Sequence, residues 1–167
     1  MKKTGKFVTA SLFAALIFIA TLFFNIKLPN GYANLGDCFI ITVACLLGAK
    51  YGACSAAIGS TLADITLGYV VYAPATFIVK ALMAVMCSYV FNHTKGKLRV
   101  IAAGLTAEVI MVVGYFGYES LLYGVNGAVL SVFGNTLQGI INIAAALILT
   151  TLLNRYISPL ASTENKK

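Results

Sequence analysis

Six apolar runs, at 7–24, 37–49, 53–68, 76–91, 100–118 and 128–153, take up most of this chain and leave only short polar breaks between them. A helix that crosses a bilayer needs about 20 predominantly apolar residues, about 17 at the short end. Most of the runs meet or approach that length. Charge is correspondingly scarce: 10% of the 167 residues are Asp, Glu, Lys or Arg, and 60% are hydrophobic, for a mean hydropathy of +0.91. Soluble domains carry about 25% charged residues. The expectation is an all-α integral membrane protein with six transmembrane helices, built as a single membrane domain over 1–167 with a polar tail at 154–167.

The run at 37–49 is short for a crossing, but Lys and Arg argue for counting it. Cytoplasmic segments carry the excess of these residues. Six spans with the N-terminus inside place Lys2, Lys3, Lys6, Lys50, Lys95, Lys97, Arg99, Arg155, Lys166 and Lys167 on one side and only Lys27 on the other. Both termini are then cytoplasmic, in a multi-pass protein of the bacterial cytoplasmic membrane. The net charge of +7 is thereby read as a topology signal. No basic stretch interleaved with aromatics stands outside the apolar runs, so nucleic acid is not an expected partner.

The first run follows three lysines, and no A-x-A-like cleavage site comes after it, so it reads as a retained helix. Ala10 and Ala14 share one of its faces and permit close approach of another helix, within the protein or from a partner. Asn25 to Gly36 is rich in turn residues and reads as a loop. Asp37 then opens the second run, where its plainest role is an N-cap. The third run is thin, with Ala, Gly and Ser throughout. In the sixth, Asn135, Gln138 and Asn142 fall on one helical face.

Ionisable residues inside such runs are costly and mark functional sites by default. With this topology Asp64 and Lys80 lie at similar depth in the outer parts of helices three and four. A buried ion pair between them is expected, structural or in contact with a ligand. Glu108 lies deeper. Tyr115, Tyr118, Glu119 and Tyr123 gather at the outer end of helix five, with Asn135 and Gln138 level with them. Convergent polar groups in an apolar cleft are the usual form of a small-ligand site. A tyrosine at that depth is equally at home in the interfacial aromatic belt.

Chemical signatures are missing. The four cysteines form no C-x-x-C pair, and His93 falls in a polar connection, so no metal site and no cofactor are expected. There is no H-E-x-x-H, G-x-S-x-G or phosphate loop. The chain does not read as an enzyme, and uphill transport would draw its nucleotide energy from another chain.

The segments GYANLGD and IGSTLADITLGYVVYAPATFIVK, set in a six-run plan, resemble the substrate-binding S components of energy-coupling factor (ECF) transporters, nearest the riboflavin-type and pyridoxine-type branch. The resemblance spans nearly the whole chain. It implies a binding subunit that captures a vitamin or precursor from outside and docks on a coupling transmembrane protein driven by two ATPases. It implies docking through Ala10 and Ala14. By position, it implies substrate binding by Asn34, Asp37, Tyr69, Tyr72, Lys80, Tyr115, Glu119, Asn135 and Gln138. A pyridoxine-like vitamer is the first expected ligand and riboflavin the second. Lys80 and Glu119 suit a polar heteroaromatic with hydroxyl or phosphate-like groups. The competing expectations are a small integral membrane enzyme or scaffold, and a self-contained ion-coupled carrier using Asp64 and Glu108. Dependence on ATPase partners separates them from the first reading.

Overall fold

The computed structural model describes residues 3–28, 30–96 and 98–164, with 154–164 as backbone only. Lys2, Pro29, Lys97, Lys166, Lys167 and the side chain of Arg155, which entered the expectations about the first loop and the charge asymmetry, lie outside the described residues. The elements in order are α1 (Lys3–Phe23), β1 (Asn25–Leu28), β2 (Gly31–Asn34), α2 (Gly36–Leu47), α3 (Ala49–Leu67), α4 (Ala73–His93) and α5 (Arg99–Glu164).

The last of these is two helices in one. Gly124 leaves helical geometry at φ 75° and ψ 163°, a left-handed φ that glycine tolerates because it has no Cβ. Around it the arms 99–123 and 125–164 fold back on each other. Gln138 Nε2 meets Met111 Sδ at 3.2 Å, and a Cβ on Gly139 would touch the side chain of Glu108. The break expected between the runs at 100–118 and 128–153 is therefore helical except at this one residue. Helical segments cover all six apolar runs, starting one to four residues before them and ending anywhere from two residues short to eleven residues past them.

The short α2 is the centre of the bundle. It packs against α1, α3, α4 and α5, and Ile40, Ile41 and Val43 are fully buried. Twelve residues at about 1.5 Å each make a helix of about 18 Å, well under the about 30 Å of a hydrocarbon core. Enclosure by its neighbours removes the need to span alone. Toward its far end the core is mainly aliphatic, with Met83, Cys87, Ala103, Ala107 and Ala146 in one cluster with Ile41. Asp37 is not the N-cap expected of it. It sits in the first turn of α2, after Leu35 at the cap position, and its carboxylate turns into the bundle.

Backbone approach is closest between α1 and α3. A Cβ on Gly59 would stand 2.5 Å from the carbonyl oxygen of Ala14, and Ser55 Oγ donates to the carbonyl of Ala10 at 2.7 Å. The small residues of α3 thus let α1 lie directly on it, the same device that packs helices in membranes. Ala10 is buried in this contact and Ala14 half-buried. The expectation that these two alanines form an outward docking face is corrected accordingly: they face α3 of the same chain. The outward face of α1 carries Phe7, Leu12, Leu16, Ile19 and Phe23, with Ser11 and Ala15 exposed among them.

Asn25–Gly36 was expected to be irregular and instead contains an antiparallel hairpin, with register running from Asn25↔Asn34 to Leu28↔Gly31. It closes one end of the bundle. Asn30 Nδ2 donates to the carbonyl of Gly127 at 2.6 Å, and Tyr69 Oη donates to that of Gly31 at 3.4 Å. The exterior is apolar over most of its length. Among the described residues, three helices are long and apolar enough to cross a membrane: α1, α4 and residues 99–153 of α5.

Candidate functional site

Below the hairpin the polar residues of five helical segments converge. Lys80, seven residues into α4, points at the first turn of α2, and its Nζ lies 2.6 Å from Asp37 Oδ1. Both side chains are almost wholly buried. The ion pair expected between Lys80 and Asp64 is therefore corrected to Lys80 and Asp37. The physical reason is the central place of α2, which carries a carboxylate to Lys80 from a third helix. Gln138 Nε2 donates to the other oxygen of Asp37 at 2.5 Å, so that carboxylate is satisfied on both sides.

Asp64 has a different partner. Tyr32, on β2, donates its hydroxyl to Asp64 Oδ1, while Asp64 Oδ2 is buried and has no hydrogen-bond partner. Burial, reinforced by Asp64, holds the Tyr32 phenol well above its ordinary pKa, so it remains a donor. Glu119, near the end of the first arm of α5, accepts from Ser131 Oγ, and its Oε1 stands 3.3 Å from the Tyr72 hydroxyl. That hydroxyl itself donates to the carbonyl of Asn30 in the hairpin turn, and burial raises its pKa also.

Tyrosines form one wall. Ring centroids are 5.0 Å apart for Tyr32 and Tyr69, 6.2 Å for Tyr69 and Tyr72, and 6.5 Å for Tyr72 and Tyr115. Such separations are those of interacting aromatic pairs. Tyr115 stacks further inward, its hydroxyl 2.9 Å from Thr76 Oγ1 and its ring 5.6 Å from Lys80 Nζ. These rings form a connected cluster inside the bundle end, not a belt around it. Tyr118 joins the cluster at Tyr72, 5.8 Å away, and Tyr123 beyond it is half exposed.

The enclosed space is divided. An inner cavity of about 40 Å³ is lined by Asn34, Tyr69, Tyr72, Lys80, Tyr115, Glu119, Asn135 and Gln138, eight of the nine residues named from the sequence. Asp37 is the ninth and lies behind Lys80 and Gln138. By the same measure one water needs about 10–15 Å³. An outer cavity of about 300 Å³ opens above it, bounded by Asn30, Gly68, Val71 and Tyr123. Leu28, Gly31, Tyr69 and Tyr72 line both and are the partition between them.

Two of the named residues are largely engaged in structure. Asn34 Oδ1 accepts from the Gly36 amide at 2.8 Å, and its own amide donates to Gln138 Oε1 at 2.8 Å. Asn142, on the same face as Gln138, completes the clamp: its Oδ1 accepts from the Cys38 amide and its Nδ2 donates to the Asn34 carbonyl, both at 2.8 Å. The polar face of the second arm thus ties down the junction of β2 and α2. Sequence reasoning missed Tyr32, Thr76 and Ser131 as lining residues. Tyr32 is the second residue of the GYANLGD segment, but only the pairing of β1 with β2 places it over Asp64. Glu108 is buried against Gly139 with both carboxylate oxygens unpartnered and does not line either cavity.

Comparison with known proteins places the chain among transport subunits. Residues 1–155 match the family model described as "ECF-type riboflavin transporter, S component". The chain is also 30% identical over 144 residues to a protein of Pyrococcus woesei described as "Uncharacterized protein in gap 3'region", an alignment that covers 85% of this chain and 97% of that one.

Proposed function

Since the chain belongs to the family of ECF-type riboflavin transporter S components, the membrane-bound substrate-binding subunits of these transporters, we propose that it captures riboflavin at the hairpin end of the bundle. The observation that carries this reading is the half-buried tyrosine cluster beside a ring of hydrogen-bonding side chains. A planar heteroaromatic needs flat apolar surface, and the chain has no tryptophan to supply it. Tyr32, Tyr69, Tyr72 and Tyr115 offer that surface, and Gln138, Asn135 and Thr76 offer polar contacts for ring heteroatoms and hydroxyls. The family match favours riboflavin over the pyridoxine-like vitamer expected first.

The inner cavity is smaller than any vitamin, so ligand entry merges the two cavities by turning aside the partition of Leu28, Tyr69 and Tyr72. The hairpin turn is held there by single hydrogen bonds from Asn30, Tyr69 and Tyr72, contacts suited to opening, while Tyr32 and Asn34 anchor β2 to Asp64 and Gln138. The hairpin end is the extracellular one in this reading, with six crossings and both termini cytoplasmic. Lys3, Lys6, Lys50, Lys95 and Arg99 all fall at the other end of the bundle. Transport then requires a coupling transmembrane protein and two ATPases. Docking on the coupling protein would use the outward face of α1 around Ser11 and Ala15.

Flavin fluorescence gives the test. Riboflavin titrated into the detergent-purified chain should be quenched at one equivalent, and ATP depletion should stop its uptake by cells that carry the coupling module. Uptake that survives ATP depletion would refute the assignment.

A further inference from the structure

We propose that the site selects its ligand by charge, taking an uncharged or cationic molecule and refusing the phosphate ester of the same ring. The proposal rests on the assignment of this cavity as the vitamin site. Lys80 is the one cation among the described residues that lines either cavity, and it is already neutralised by Asp37 at 2.6 Å. Two more carboxyls, Asp64 and Glu119, face the inner cavity, 3% and 2% exposed. One oxygen of Asp64 has no partner.

A ligand hydroxyl, imide or ammonium donor fits that oxygen, since a buried acceptor left unpaired is costly. A phosphate brings only negative charge and acceptors. It would be buried beside two carboxyls with no unpaired cation to compensate it, and burying an uncompensated charge is among the most expensive things a site can do. Even with both carboxyls protonated, no free cation faces the cavity. This corrects the expectation that Lys80 suits phosphate-like groups: its charge is spent within the protein.

The test compares riboflavin with riboflavin 5′-phosphate on the full chain in detergent, read by flavin fluorescence. The ester should bind about 100-fold more weakly or not at all; a ratio under about tenfold overturns the proposal. Asp37→Asn releases Lys80, and in a folded variant the ratio should shrink at least about tenfold; an unchanged ratio would contradict the role given to the pair. If Asp37→Asn does not fold, the wild-type ratio decides alone. If neither flavin binds, the riboflavin assignment fails separately, and the charge rule passes to the compound released from the purified protein and identified by mass spectrometry. A neutral or cationic compound sustains the rule, and a phosphorylated one overturns it.

Discussion

Lys80 and Asp37 are worth more as a pair than as individuals. Removing either partner leaves an almost wholly buried charge uncompensated, and such losses cost about 3–5 kcal/mol. Lys80→Met should therefore lower unfolding stability in detergent by about that amount, and combining it with Asp37→Leu should recover much of the loss. A double variant no more stable than the single one would show that the charges are held apart by other groups. Tyr32→Phe removes the donor to Asp64 and should weaken ligand binding at a cost of about 1–3 kcal/mol in stability, read by titration and thermal unfolding of the same sample. The sequence made these residues conspicuous, because ionisable groups inside apolar runs have few innocent explanations. It did not say which carboxylate Lys80 would meet. Asp64 is level with it along adjacent helices, but Asp37 reaches it from the central helix, and only the packing of α2 between α1, α3, α4 and α5 decides between them.

Elements were legible to the extent that they are long and apolar. The six runs became six helical segments, while the short β1–β2 hairpin left no signal stronger than that of a polar loop. Its strands are four residues each and only partly buried, too short for alternation to stand out. The Ala10 and Ala14 spacing points to a close-packing face, but spacing alone does not name the partner helix, and in the fold these residues meet α3. Gly59→Val would drive a side chain into the Ala14 carbonyl and should cost about 1–3 kcal/mol, seen as a lower midpoint of thermal unfolding. Ala15→Trp, on the exposed face of the same helix, should leave folding and solitary binding intact and abolish ATP-driven uptake. Uptake that persists in Ala15→Trp would remove α1 from the docking account.

For the molecule as a whole, a mainly aliphatic half and a polar half are stacked along one bundle, with the hairpin over the polar end. The apolar exterior suits a membrane, and in the proposed orientation the lysines and arginines set the polar end outward. Reporter fusions at both termini should show cytoplasmic activity, and a tag inserted beside Asn30 should be accessible from outside; a terminus on the outer side would invalidate the six-crossing plan. The central claim is that the polar end is a capture site for a vitamin. The most direct test is mass spectrometry of the compound released from the solitary protein after growth with riboflavin in the medium. One riboflavin per chain is the expected result. A protein that emerges empty, and stays empty when riboflavin is added back, would contradict it.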